Sequence, residues 1–543
     1  MSFYGKMAET ANNVSITENG MRGYKTTYHP LLDVNFALSS YRHENDDKIR
    51  EDITKIIASE DATYILKYLF FVRDAREGLG ERRFFKVALN ELIKSNFKDK
   101  DKIITDLINN EVAKYGRYDD LFLFVGTDYE QKMIQTVLAQ LRKDFDNMTK
   151  KQPISLLAKW MPSENASSKE TIALAKKFIK AFGASPREYR KLLSALRDYL
   201  NVLEVKTSGN QWGDIDYNAV PSKANLKYKD AFLRHDEERR RDYLAALRVG
   251  VDKDGNAVKI NSTVNFPHEI VSKYRTTNYW SYRLGNYDEA LEQLWKNLKN
   301  KEGLENTIVV RDGSGSMTCS IGNGQTTALD VSTALSIYCA ERLKGDFKDK
   351  FITFSSQARL VDLSGNESLH AKLATCFSNT DCSNTNLGNV FQLILDTARD
   401  HKMSQDEIPS QVLIISDMEF DSCGGRGSGN VIEFYDKAFK NAGYTLPKLV
   451  FWNVNSRTNT IPCRFNDEGV LLVSGFSVNV LDMVMSGKTD PFDALVEKIL
   501  CETYKEIPLI EVVKDLPKKE ATKPQANTKK AVKPRKVEKP SWL

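Results

Sequence analysis

No stretch of this chain stays apolar long enough to cross a bilayer. The best run, VLII at Val412–Ile415, is strand-sized, against the roughly 18 residues a spanning helix needs. The opening MSFYGKMAETANNVSITENG lacks the apolar core of a secretory signal. Cysteine is scarce: seven residues, an odd number with no CxxC spacing, which argues against both a disulfide framework and a cysteine-built zinc site. The six histidines show no HxxxH or HExxH arrangement, so no zinc hydrolase is indicated. A Walker A ending in Gly-Lys-Ser/Thr is missing, and no unit recurs at a fixed period. The chain is therefore expected to be cytoplasmic, or also nuclear, with reduced thiols and no membrane association.

Strong charge of one sign is also missing from most of the chain. The formal net charge is +5, but from Lys514 to the end nine lysines and one arginine face three acids, a local +7 that leaves −2 for the rest. Basicity belongs to the tail, so the global charge says little about nucleic-acid binding by the folded part. The tail, Lys514–Leu543, is rich in Lys, Pro and Ala and is expected to be disordered. Elsewhere the composition, 41% hydrophobic and 28% charged, is that of an ordinary globular protein, and the length implies several domains.

What is present divides at about residue 305. Before it, apolar residues recur at helical spacing in Ile49–Ile57, Tyr64–Val72, Phe84–Ile93 and Ile103–Val112, separated by turns such as Gly78–Glu81 and Tyr115–Asp120. A turn-rich break at 207–225 precedes another helical segment, Leu226–Val249. Consecutive helices with short links are expected to build a HEAT-like α-solenoid. After 305, short apolar runs bounded by turn residues read as strands: Asn306–Val310, Lys350–Phe354, Gln411–Ser416, Lys448–Val454 and Gly469–Gly475. Helical patterns alternate with them at Ala328–Leu343, Leu387–Arg399, Ile432–Ala442 and Val478–Met485, which implies a doubly wound, Rossmann-like parallel sheet. The expected organisation is an arm over 1–45, a helical domain over 46–304, an α/β domain over 305–508 and the tail over 509–543.

The first strand runs directly into RDGSGSM. Asp312, Ser314 and Ser316 alternate along a strand-to-helix turn, which sets three side-chain oxygens on one side, while Gly313 and Gly315 permit the tight backbone. Such a set suits a hard cation, Mg²⁺ or else Mn²⁺ or Ca²⁺. Thr385 in SNTNLG and Asp417 after QVLIIS stand on two further loops at strand ends, where ligands of doubly wound sheets gather. A Ser/Gly turn of purely steric use would explain DxSxS alone but not the ordered Thr and Asp loops. Glu419 and Asp421 follow Asp417 and are read as solvated loop acids. GGRGSG at Gly424–Gly429 is read as a loop beside the metal rather than a phosphate cradle. Cys319, Cys382 and Cys423 lie near the metal loops and are read as small, semi-buried side chains rather than a redox switch.

Asp312, Ser314, Ser316, Thr385 and Asp417 together resemble the metal-ion-dependent adhesion site of von Willebrand factor A domains. The resemblance implies that the DxSxS residues hold the ion directly or through water, that Thr385 joins or leaves with conformational state, that Asp417 acts through water, and that an open position accepts a partner's carboxylate. Helical repeats followed by an A domain resemble the Ro autoantigen family, whose TROVE domain forms a ring. Phrases such as Val72–Phe85, Tyr115–Leu121, Gln211–Ala224, Phe266–Val271, Ser416–Asp421, Leu449–Val454 and Val473–Ser477 are similar to a related TROVE-like family of unknown function, covering the chain from about Asn19 to Glu506.

The Ro resemblance implies binding of small non-coding or misfolded RNA. The candidate contacts are Arg73, Arg76, Arg82 and Arg83 with the neighbouring Phe84 and Phe85, since arginine can fork onto phosphate and aromatic faces can stack on unpaired bases. Against this, the arginines have Asp74, Glu77 and Glu81 as partners, and the phenylalanines suit a helix core. Arg187, Arg190, Arg197 and Arg239–Arg241 are further basic positions, the last flanked by acids as on a solvated helix face. The expected function is non-enzymatic, metal-dependent binding that scaffolds a ribonucleoprotein. An adaptor gripping an acidic protein residue is the alternative. A metal-dependent nuclease or phosphatase is disfavoured, because one ion among Ser and Thr ligands brings no positioned base and no second metal.

Overall fold

A computed structural model describes residues 2–513 apart from 279–280, 302, 323, 381, 423–430, 464–468 and 489. Cys423, the Gly424–Gly429 loop and the tail from Lys514 thus lie outside the described residues.

Helices dominate the N-terminal part, and a six-stranded sheet occupies the C-terminal part. Its strands are β1 (Thr307–Asp312), β2 (Lys350–Phe354), β3 (Ala358–Asp362), β4 (Gln411–Ser416), β5 (Lys448–Asn453) and β6 (Val470–Ser474). The spatial order is β3-β2-β1-β4-β5-β6, parallel throughout except for β3. Every residue of β1, β4 and β6 is buried. That is why these strands read as continuous apolar runs and not as alternations: both faces are covered. One cover is the helix Ala328–Ala340, buried along all its residues and started by a capping box of Thr327 and Asp330. The helices Gly388–Asp400 and Val431–Asn441 also follow the sequence pattern, whereas Val478–Met485 yields only a 3₁₀ turn and one short helix. The sequence pattern missed β3. It pairs antiparallel with β2 at the sheet edge and exposes Arg359, Leu360 and Asp362, so it carries no core signature.

Two compact units divide the chain differently from the borders drawn on sequence: Met1–Leu89 with Trp212–Lys505, and Asn90–Gln211 with Glu506–Leu543. In the first unit, residues before 46 are built onto the sheet and form no separate arm. Leu31 and Leu32 are fully buried, the Asn453 side chain donates to Phe36 O at 2.7 Å, and bridges join Gly20 to Asp421 and Tyr24 to Ile461. The segment expected as one helix over Leu226–Val249 is three: Ser222–Lys227, Lys229–His235 and Glu237–Val249.

The second unit is helical. Lys100–Asp106 passes through a π-turn, Leu107–Glu111, into Val112–Tyr115, followed by Glu130–Thr149, Lys169–Phe182 and Pro186–Tyr199. The last two are punctuated as their sequence demands. Gly183 ends one in a left-handed conformation, and Ser185 with Glu188 boxes the start of the next, with Pro186 in its first turn. Among the described residues no helix is long and apolar enough to cross a membrane.

Candidate metal centre

The sheet order locates the centre. From β1 the chain fills positions on one side with β2 and β3, then on the other with β4, β5 and β6. Loops leaving β1 and β4 therefore diverge, and a crevice opens at their carboxyl ends. β1 ends on Asp312, and β4 ends on Ser416 beside Asp417.

Four of the five expected residues meet there. Asp312, Ser314 and Asp417 are buried, and Ser316 is half-buried. The Ser314 amide donates to Asp312 Oδ1 at 2.9 Å, and the hydroxyls of Ser314 and Ser316 lie 3.0 Å apart. Ser316 stands beside Asp417 and favours its charged form. Gly315 lets the neighbouring loop approach: its amide donates to Ser383 O at 3.0 Å, and a Cβ would stand 3.0 Å from Cys382 O. That loop carries Thr385, which is buried and whose hydroxyl accepts from Asn19 Nδ2 at 3.3 Å. The fifth residue thus lies on the adjoining loop, held by the N-terminal segment.

Behind the cluster are groups that sequence spacing did not single out. Ser416 Oγ donates to Asp312 Oδ2 at 2.5 Å. Met418, buried between two acids, adopts φ of 65°, a left-handed conformation that costs a non-glycine residue about 1–2 kcal/mol. This turn lets successive acids serve different neighbours. Asp417 meets Ser316, while Glu419 accepts from the amides of Glu18, Arg457 and Thr458 at 2.8–2.9 Å. The reading of Glu419 and Asp421 as solvated loop acids is corrected: Glu419 is fully buried, and Asp421 Oδ2 accepts from the Thr385 amide at 3.1 Å. Each ties a loop at the crevice to another part of the chain, and no local pattern announces such pairing. The expected semi-buried state of Cys319 and Cys382 is likewise corrected, since both are exposed. Cys319 Sγ lies 3.1 Å from Arg457 Nη1.

The electrostatics are those of two carboxyl groups crowded out of water. Burial pushes the Asp312 carboxyl above its ordinary range. Burial first, and the neighbouring Asp312 second, raise Asp417 to about 8. Asp417 Oδ2 is buried and accepts no hydrogen bond from any described residue. Among the described residues no three His, Cys, Asp or Glu side chains are grouped to hold a metal. A cation here would rest on two aspartates, two serine hydroxyls and water, a hard-oxygen set of the kind Mg²⁺ takes. The orphaned Asp417 oxygen and the spare lone pairs of Asp312 fit that ion. Its charge would also reverse the penalty on both carboxylates.

The arginine candidates fare differently from one another. Arg73 is buried, so its guanidinium is out of reach of a nucleic-acid phosphate; Phe84 and Phe85 are buried too and offer no face for a base. Arg83 is exposed but donates to Asp46 Oδ1 at 2.6 Å and to the carbonyls of Tyr41 and Glu44. Arg82 is half-buried and Arg76 exposed. Around them, Glu81 binds Arg42, Glu77 binds Lys299, and the Arg76 amide donates to Asp74 Oδ1 at 2.8 Å. Arg240, assigned to a solvated face, is fully buried against the rings of Tyr217, Phe232 and Tyr243. Arg197 donates to the carbonyls of Ala158 and Met161, and Arg190 pairs with Glu164.

Comparison with known proteins adds relatives without adding a role. Residues 306–537 match a family described as Domain of unknown function (DUF7788), and residues 131–307 match Domain of unknown function (DUF2828). The two matches overlap at the start of β1. Uncharacterized protein L728 of Acanthamoeba polyphaga mimivirus is 29% identical over 510 residues, covering 88% of this chain and 85% of the viral protein.

Proposed function

We propose that the protein is a non-enzymatic, metal-dependent binding protein. In this reading the sheet is a von Willebrand factor A-type domain that grips a carboxylate of an acidic protein partner, and the helical remainder is a TROVE-like, HEAT-like scaffold. The observation that carries it is the buried Asp417 oxygen that accepts no hydrogen bond, on a carboxyl crowded against Asp312 beside two serine hydroxyls at the switch point of the sheet. Asp312, Ser314, Ser316 and Asp417 would hold a Mg²⁺-class ion, with Thr385 on the loop beside them. The ion supplies a Lewis-acidic position for an incoming carboxylate. Ser416 and the Ser314 amide hold the Asp312 carboxylate in place. Glu419 pins the Ser456–Thr458 loop, and Asn19 keeps Thr385 on its loop.

Binding is favoured over turnover because both central carboxylates serve as ligands, and the groups that touch them are hydroxyls, backbone amides and Arg457. A protein carboxylate is favoured over RNA because Arg73, Phe84 and Phe85 are interior. The test uses Mn²⁺ as the ion and follows water proton relaxation. The protein should bind about one Mn²⁺ with exchangeable water, and a glutamate-rich peptide should displace that water. Asp312→Ala should lose both effects while the helical circular dichroism persists. Peptide binding that is unchanged in EDTA would reject the metal-dependent grip.

A further inference from the structure

Among the described residues, Arg457 is the cationic side chain that reaches Asp417, while Arg311 lies behind Asp312. Arg457 Nη2 lies 3.8 Å from Asp417 Oδ2, the oxygen that accepts no hydrogen bond. The same Nη2 is ion-paired with the Glu18 carboxylate, and Nη1 reaches Cys319 Sγ. Arg457 therefore bridges a buried acid and an exposed one contributed from far upstream in the chain. Glu18 is seated by backbone contacts around it. Its amide donates to Glu419 Oε2 at 2.8 Å, Thr17 Oγ1 donates to Phe420 O at 2.7 Å, and Gly20 bridges Asp421. Each of these contacts falls on the loop that carries Asp417.

From this arrangement we infer that Arg457 and a divalent cation compete for Asp417, and that Glu18 on the N-terminal segment sets the outcome by holding Arg457 away. The inference rests on the metal-dependent reading above. A guanidinium and a divalent ion cannot share one carboxylate oxygen without repulsion, and at this partly buried position that repulsion is only partly screened. With Glu18 seated, part of the guanidinium's attraction is satisfied outside the crevice and the cation enters more readily. With the segment lifted, Arg457 closes on Asp417 and the cation is excluded. By linkage, cation binding must then favour the seated segment to the same degree.

Mn²⁺ titrations of the full chain, read by the electron paramagnetic resonance of free Mn²⁺, test this. Arg457→Gln should tighten Mn²⁺ by about fivefold, the scale of a partly exposed charge pair. Glu18→Gln should weaken it by a similar factor, and the double variant should match Arg457→Gln, because Glu18 acts through Arg457. Arg457→Lys keeps the charge and should stay near wild type. Wild type that binds Mn²⁺ together with an Arg457→Gln that binds no tighter overturns the competition. So does a Glu18→Gln loss that persists in the double variant, which would make Glu18 a ligand. If neither wild type nor Arg457→Gln binds Mn²⁺, the metal reading itself falls and takes this inference with it.

Discussion

Asp417 is the residue at which stability and function pull apart. Its buried carboxyl is crowded by Asp312 and leaves one oxygen without a hydrogen bond, with Arg457 only at 3.8 Å, a costly arrangement in the absence of a metal ion. Asp417→Asn should therefore raise the melting temperature in EDTA, by the equivalent of about 1–3 kcal/mol, while abolishing stabilisation by Mn²⁺. A variant that melts lower in EDTA would mean the carboxylate is structural. His268 makes a pH prediction. Burial first, then Arg42 and Lys223, hold its pKa well below 6.5, so it is neutral when folded and takes a proton when unfolded. Stability is then full above about pH 6.5 and falls as pH drops below it, with a limiting slope of about 1.4 kcal/mol per pH unit. Comparing denaturant midpoints from pH 7.5 to 5 should show a steeper acid loss in wild type than in His268→Gln. Parallel profiles would contradict the assignment.

Among the elements, the turn in VRDAREGLGERRFF is tightly packed. Gly78 has no room for a side chain, since a Cβ would sit 1.9 Å from Phe71 O. Its carbonyl accepts from Ser477 Oγ at 3.0 Å and from Asn479 Nδ2 at 2.8 Å. Two of the phrases quoted for resemblance, Val72–Phe85 and Val473–Ser477, thus meet in space, and their contact docks a helical turn onto the loop after β6. Gly78→Ala should destabilise by more than about 3 kcal/mol, read as an early thermal transition, with Asn479→Ala milder. A Gly78→Ala protein as stable as wild type would refute this docking role. The strands were legible because burial on both faces writes continuous apolar runs, and the DxSxS turn because its residues are local. Edge strand β3 was not, since its exposed side chains carry no core pattern. Glu18, Asn19, Glu419 and Arg457 were not legible because their roles depend on partners hundreds of positions away. The interior positions of Arg73 and Arg240 were not legible for the converse reason: charge in sequence carries no record of burial.

Across the whole molecule, the N-terminal segment, the sheet and the helices Asp46–Ala58 and Ile65–Arg73 fall in one unit, so the site draws on both ends of the numbering. Basicity is concentrated in the terminal +7 segment, so any polyanion binding by the full chain must be compared with a chain ending near residue 508 before it is credited to the folded units. Anomalous diffraction from crystals grown with Mn²⁺ would locate one cation at one switch point directly. A single peak is expected in the crevice after β1 and β4, within about 2–2.5 Å of oxygens from Asp312, Ser314 and Ser316 and a water-bridge length from Asp417. A peak elsewhere, or an empty crevice at saturating Mn²⁺, would contradict the metal-dependent reading.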